Sequence, residues 1–222
     1  MTLDQLTTEL FAHVRDEWLR DNYFKTWIND AILGIATDFD LPALERIEPF
    51  NQPTLASTWL VDMPEIFCKR VSKCRNVAWN KVHVLDCMAD LDVLDEDHNE
   101  TGTAITHIAV NQERRKLGYY PKAADTARLW FFDKPPVLDQ PNDPLTCIPE
   151  AYQRRVVIPK AILIAYPHLQ DMGVQTPHPS LAFWHGEYSK GLYGSPKGDI
   201  GMVHYLATLR PIRVHLGRQH LP

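Results

Sequence analysis

The sequence predicts an α+β protein: a small antiparallel helical bundle, a small β domain inserted into it, and an extended C-terminal arm. Three observations carry that expectation. Apolar residues recur every three or four positions through the first forty residues, the period changes near residue 54 to β-branched and aromatic runs, and helical spacing returns after Pro149. The expected segments are 1–53 for an N-terminal helical hairpin, 54–142 for the β-rich insertion, 143–172 for the helix completing the bundle, and 173–222 for the arm.

Thr2 followed three residues later by Gln5 fits a capping box, and Leu3, Leu6, Leu10, Val14 and Trp18 then fall on one helical face. A break at Asp21-Asn22 is expected to separate this helix from a second, in which Phe24, Trp27, Ile28, Ala31, Ile32, Ile35 and Phe39 keep the same spacing before Pro42. Each helix has an apolar face to bury, so the two are expected to pack on each other. The outward residues of 1–50 are mainly acidic. Beyond residue 54, Thr54 to Val61 reads as extended, Met63-Pro64-Glu65 opens a new element, and Phe67 to Val84 reads as short strands separated by Lys69, Arg70, Lys73, Arg75 and Lys81. Asp90 to Asp97 reads as one acidic helical turn, with Leu91 and Leu94 facing the sheet. Ala104 to Val110 and Thr126 to Phe132 are the clearest strands, and Asn111 to Lys116 reads as a loop or hairpin tip. Pro135-Pro136 and Pro141 to Pro144 close the region. Tyr152, Val156, Ile158, Ile162, Leu163, Tyr166 and Leu169 then read as a helix, in which Pro159 marks either a kink or a first turn. From Gly173 onward, glycines alternate with Trp184, Tyr188, Tyr193 and Tyr205 without periodicity, the pattern of an extended segment anchored on something else.

Composition narrows the function. The 222 residues carry a formal net charge of −5, which argues against a surface built throughout to grip nucleic acid, although a local basic patch fits inside that total. The longest apolar runs, Ala161 to Ala165 and Leu129 to Phe132, are far shorter than the roughly 20 residues that span a bilayer. The first residues lack the basic and apolar regions of a secretory signal, so a cytoplasmic origin is expected. Cys68, Cys74, Cys87 and Cys147 form no CxxC pair and are expected as free thiols rather than a disulfide framework or a zinc site.

The search for chemistry returns no catalytic constellation. There is no GxSxG elbow, HExxH helix, GxxxxGK phosphate loop or GxGxxG turn, and no nucleophile with an assigned base. Asp90, Asp92, Asp95 and Asp97 with His98 are the nearest to a cation site, but the run lacks the glycine and terminal glutamate of a calcium loop, so a solvated acidic turn is the expectation. No metal, cofactor or catalytic residue is expected. Charge asymmetry says more: Lys190, Lys197, Arg210, Arg213 and Arg218 outnumber Glu187 and Asp199 in 173–222, which also holds half of the ten histidines. A basic, aromatic tail on an acidic body suits an interface between repeated copies, and it equally suits ordinary surface charge. Arg114, Arg115 and Lys116 pose the same choice: they face DNA or another copy, or they solubilise a loop.

A set of short motifs, in order along residues 1–172, resembles the head-to-tail adaptor (connector) proteins of tailed bacteriophages. They are Arg15-Asp16-Glu17-Trp18-Leu19 with Trp27-Ile28-Asn29-Asp30-Ala31-Ile32, Met63-Pro64-Glu65-Ile66-Phe67, Gly118-Tyr119-Tyr120-Pro121, Lys134-Pro135-Pro136, and Asp143 to Tyr152 leading into a helix. The resemblance implies a non-enzymatic structural protein of the virion neck, made in the host bacterial cytoplasm. It further implies a ring of twelve copies beneath the portal protein, a downstream tail or neck protein as second partner, and DNA passing through the channel without sequence readout. Carried onto this chain, the portal-binding arm is 173–222, with Trp184, Tyr188, Tyr193, Tyr205, Arg210 and Arg213 as its contacts, and Arg114, Arg115 and Lys116 are channel or interface charges. The alternatives are another neck or tail-completion protein of the virion, or a non-viral oligomeric scaffold.

Overall fold

The computed structural model describes residues 1–171, 180–195 and 198–209. In chain order the elements are α1 (Leu3–Val14), α2 (Glu17–Leu19), α3 (Lys25–Asp38), β1 (Phe50–Pro53), β2 (Leu60–Asp62), β3 (Phe67–Arg75), β4 (Lys81–Val84) and α4 (Ala89–Leu94). There follow β5 (His107–Asn111), β6 (Lys116–Tyr120), β7 (Thr126–Asp133), α5 (Glu150–Tyr152), α6 (Ile158–Asp171), α7 (Leu181–Tyr193) and α8 (Met202–Leu209). The fold is thus mixed α+β, with helices and one curled seven-stranded sheet. The chain divides into two compact units, one of residues 1–32 and 137–222 and one of residues 33–136.

In the first unit, α1 begins as its sequence dictates. The Thr2 N–H donates to Gln5 Oε1 at 2.9 Å, Thr2 Oγ1 accepts from the Gln5 N–H, and Leu3, Leu6, Leu10 and Val14 are buried. Each such side chain contributes about 1.5–3 kcal/mol by leaving water. The helix does not run to Trp18. It stops at Arg15, which adopts a left-handed conformation (φ 54°), and Asp16 starts the next turn by accepting the Leu19 N–H at 2.9 Å. The expected break at Asp21-Asn22 is instead a π segment, Arg20–Phe24, continuous with α3. The exposed Asn22 amide donates to the Trp18 carbonyl one turn back, so a residue that often interrupts helices extends one here.

A second π segment, Gln153–Val157, joins α5 to α6. Pro159 lies in the first turn of α6, where its missing N–H leaves the Arg155 carbonyl without its usual α-helical donor. α6 packs on α1 and α7 through a stripe that includes Ile158, Ala161, Ile162, Ala165 and Leu169. The extended arm is corrected at the described positions: Leu181–Tyr193 and Met202–Leu209 are helices. They pack through two glycines. A Cβ on Gly191 would lie 2.4 Å from the Arg155 carbonyl oxygen, and one on Gly201 would lie 2.3 Å from the Gly194 nitrogen. Beside buried Trp184, Leu192, Met202 and Leu206, helical packing here therefore also uses glycines, which carry no apolar signal in the sequence.

The second unit is the sheet, in the order β1-β7-β3-β4-β5-β6-β2, antiparallel throughout except for the parallel pair β4–β5. Leu129 and Phe131 of β7 share one core with Leu117 and Tyr119 of β6, although three strands separate β7 from β6. The sheet must curl around that core for this to happen. Register shifts between Phe67 and Lys73 along β3 supply part of the bend. The Tyr119 hydroxyl closes the curl, donating to the Leu55 carbonyl and accepting from the Leu55 N–H, both at 2.9 Å. Strand β6 occupies part of what reads in the sequence as loop and motif; the hairpin tip itself is confined to 112–115.

Candidate functional site

The described C-terminal residues divide by exposure. Trp184 is 3% exposed and meets His13 of α1 edge-on at 5.0 Å and Phe183 at 5.1 Å, so it fastens α7 to α1. Tyr188 is half-buried with Lys160 Nζ 5.2 Å from its ring. Tyr205 stacks obliquely on Tyr152 at 5.3 Å, and Tyr193 is 67% exposed at the end of α7. Arg210 and Arg213 lie outside the described residues. An open cleft of about 460 Å³ beside α7 is lined by His13, Arg154, Arg155, Trp184, Lys190 and Asp199, among others. Its charges are largely paired: Arg154 bridges Glu9 at 2.9 Å, and Lys190 bridges Glu187.

Arg114, Arg115 and Lys116 sit together at the β5–β6 turn but differ in what they do. Arg115 turns back on the chain and donates to the carbonyls of Pro64 (2.7 Å), Phe67 (3.2 Å) and Glu65 (3.2 Å), so its charge braces the 63–67 turn. Lys116 bridges its strand partner Asp62 at 2.7 Å. Arg114 is exposed and makes no ion pair among the described residues.

The acidic turn is built from its own side chains. Asp92 Oδ1 lies 2.9 Å from His98 Nε2, the His98 ring stacks on Trp59 at 3.6 Å, and Asp95 accepts the Glu100 N–H at 2.7 Å. That hydrogen bond, more than any charge nearby, holds the Asp95 carboxyl below its ordinary pKa. Among the described residues no three His, Cys, Asp or Glu side chains converge as a metal site would need. The four cysteines are unbridged, with Cys74 and Cys147 buried, Cys68 half-buried and Cys87 exposed. No helix is long and apolar enough to cross a membrane among the described residues.

Sequence reasoning missed one feature of the second unit. The outward face of β3, β4 and β7 carries Lys73, Arg75, Lys81 and Arg128 interleaved with Trp79 and Trp130. Lys73 Nζ lies 4.4 Å from the Trp130 ring centre and the Arg128 guanidinium 4.1 Å from that of Trp79. The signal was present as Lys73 and Arg75, two apart on β3 around the inward Cys74, which place their charges on one face.

Side chains fixed on scaffold contacts, an open cleft of paired charges and a basic aromatic sheet face define a protein that presents surfaces. The chain matches the family described as SU10 adaptor protein over residues 1–207 and belongs to it, which makes it a head-to-tail adaptor of tailed phages, a structural protein of the virion rather than an enzyme. No curated protein matches the chain.

Proposed function

We propose that this protein forms a twelve-membered ring beneath the portal, continues the DNA channel toward the tail, and occupies the neck of the particle. The observation that carries the reading is the family match across residues 1–207. In this reading the helical part lies around the ring axis, the β-rich part faces outward or toward the tail protein, and the segment from Gly173 attaches to the portal. Trp184 and Tyr188 hold α7 in place, while Tyr193 and Tyr205, together with Arg210 and Arg213, make the portal contacts. Arg114 is the member of its trio with a charge to offer DNA or a neighbouring copy. A formal net charge of −5 suits a conduit, since a strongly basic lumen would retard a sliding duplex.

Co-sedimentation with purified portal rings, followed by electron microscopy without imposed symmetry, tests the proposal. The chain is compared with a Tyr193→Ala variant and with a version ending after Leu209, which keeps α7 and α8. The expected result is a twelve-fold collar on the portal from the full chain and weaker attachment by both variants. A folded chain that leaves intact portal rings bare would overturn the portal reading and favour a later tail component or a scaffold.

A further inference from the structure

The basic aromatic face of the sheet needs an occupant. Its cations are held in place by the protein's own rings, since Lys73 sits over Trp130, Arg128 sits over Trp79, and Arg75 also donates to the Trp79 carbonyl at 2.5 Å. Trp130 is fixed in turn by donating its Nε1–H to the Ile47 carbonyl at 3.0 Å. The Arg128 guanidinium is half-buried over the Trp79 ring, with Nη1 itself screened from solvent. Trp79 is 52% exposed beside exposed Val77 and Ile47, so apolar surface accompanies the charge. Apolar rim, tryptophan and arginine together are the composition of a protein interface. The two rings already carry their own cations, which disfavours the base stacking that single-stranded nucleic acid would use.

A complementary surface lies on the same chain. The turn around α4 exposes Asp86, Glu96 and Asp97, and Val93 projects from it with 85% exposure. The turn is stiffened by contacts already made: Asp90 accepts the Cys87 N–H, Asp92 meets His98, and Asp95 accepts the Glu100 N–H. Met88 and Leu91 seat it over Gly118 on the outside of β6, whereas the cations lie outside β3, β4 and β7. Because the sheet curls around one core, its outward faces at β6 and at β7 point in different directions, so one chain cannot bring its turn to its own basic face.

We propose that the basic aromatic face of one copy receives the acidic α4 turn of a second copy, Val93 packing against the Trp79 region and the carboxylates meeting Lys73, Lys81 and Arg128. Such a contact joins two different patches and is therefore head-to-tail, the kind that closes into rings. The inference rests on the ring reading above and adds the surfaces that build the ring.

The test uses full-length chains in sedimentation velocity and in assembly on portal rings. Variant one is Lys73→Glu with Lys81→Glu, and variant two is Glu96→Lys with Asp97→Lys; all four positions are exposed. Each alone is expected to raise the concentration for half-assembly tenfold or more, and an equimolar mixture of the two is expected to restore it, because each reversed patch then meets a reversed partner. Val93→Asp, at a position that no core contact requires, is expected to reproduce the loss. Wild-type assembly with no effect of either variant would overturn this contact and leave the ring reading standing. Impaired single variants without rescue in the mixture would overturn the pairing of these two patches. Variant one assembling normally but losing retention on duplex DNA would reassign the face to nucleic acid. Wild type that forms no ring in solution or on the portal would overturn both readings together.

Discussion

Residues that make the sequence look like an adaptor turn out to be clasps. Met63 to Phe67 is the turn whose carbonyls Arg115 binds, Tyr119 locks β6 to the chain beyond β1, and Asp143 accepts the N–H groups of Asp139 and Gln140 at 2.7 and 2.8 Å. Asp125, 9% exposed and outside those motifs, is a further clasp. Its carboxylate accepts from the N–H groups of Val77 (3.1 Å), Thr126 (2.7 Å) and Ile105 (3.0 Å), joining the β3–β4 hairpin to the approach to β5. An amide cannot accept on both atoms, so Asp125→Asn strands at least one of those donors and is expected to cost about 1–3 kcal/mol in urea unfolding. Thiol chemistry divides by environment in the same way. Burial pushes the Cys74 thiol up to about 12 and Cys147 up to about 11, from an ordinary value of 9.0. In native protein at pH 8 a thiol reagent is expected to modify exposed Cys87 and to spare Cys74 and Cys147 until unfolding. The sign for stability follows. A folded pKa raised above the unfolded one means that the native state binds more protons, so this contribution is intact below pH 9 and falls as pH climbs toward 12. Cys74→Ala should therefore flatten the decline of the urea midpoint between pH 9 and 11, whatever it costs in packing at pH 7.

At the scale of elements, two glycines of one helix make opposite predictions. Gly191 lets α7 approach the Arg155 carbonyl, and a Cβ there would sit 2.4 Å from a backbone atom that cannot swing away. Gly191→Ala is expected to destabilise the protein by about 1–3 kcal/mol and to expose Trp184 to a fluorescence quencher. Gly186, with nothing within 4 Å of its would-be Cβ, should gain roughly 0.5–1 kcal/mol as alanine through helix propensity alone. The same contrast explains what was legible in the sequence. α1, α3, α6 and the strands β3, β5 and β7 were visible because their buried side chains are large and periodic. α7 was hidden because one of its buried positions is glycine and its exposed face carries Phe183 and Tyr193, which blurs the stripe. β6 was hidden because Leu117, Gly118 and Tyr119 are all buried, two facing the core and one lying under α4, so no alternation remains to read. The trio at 114–116 was legible as charge but not as role, since the sequence cannot show that Arg115 points inward at three carbonyls.

For the whole molecule, the decisive feature is that its first unit is discontinuous: 104 residues, 33 to 136, intervene between its two parts. Loop-closure entropy grows slowly with length, each doubling costing only about 0.6 kcal/mol, so an insertion of that size is tolerable if its ends are held. Asn29 holds them. Its side-chain oxygen accepts the Leu138 N–H at 2.9 Å and its amide donates to the Leu138 carbonyl at 3.0 Å, while Lys25 pairs with Asp139 alongside. The clasp therefore joins the last turn before the chain leaves this unit to the first residues after it returns. Asn29→Ala removes both hydrogen bonds and leaves partly buried backbone groups of Leu138 without their partner, which should cost about 1–3 kcal/mol. Amide hydrogen exchange locates that cost. Faster exchange in α1 and α6, with β3 and β7 unchanged, is expected if the clasp serves the discontinuous unit alone. Equal acceleration in the sheet would show instead that the two units unfold as one, and that the insertion is held by more than its ends.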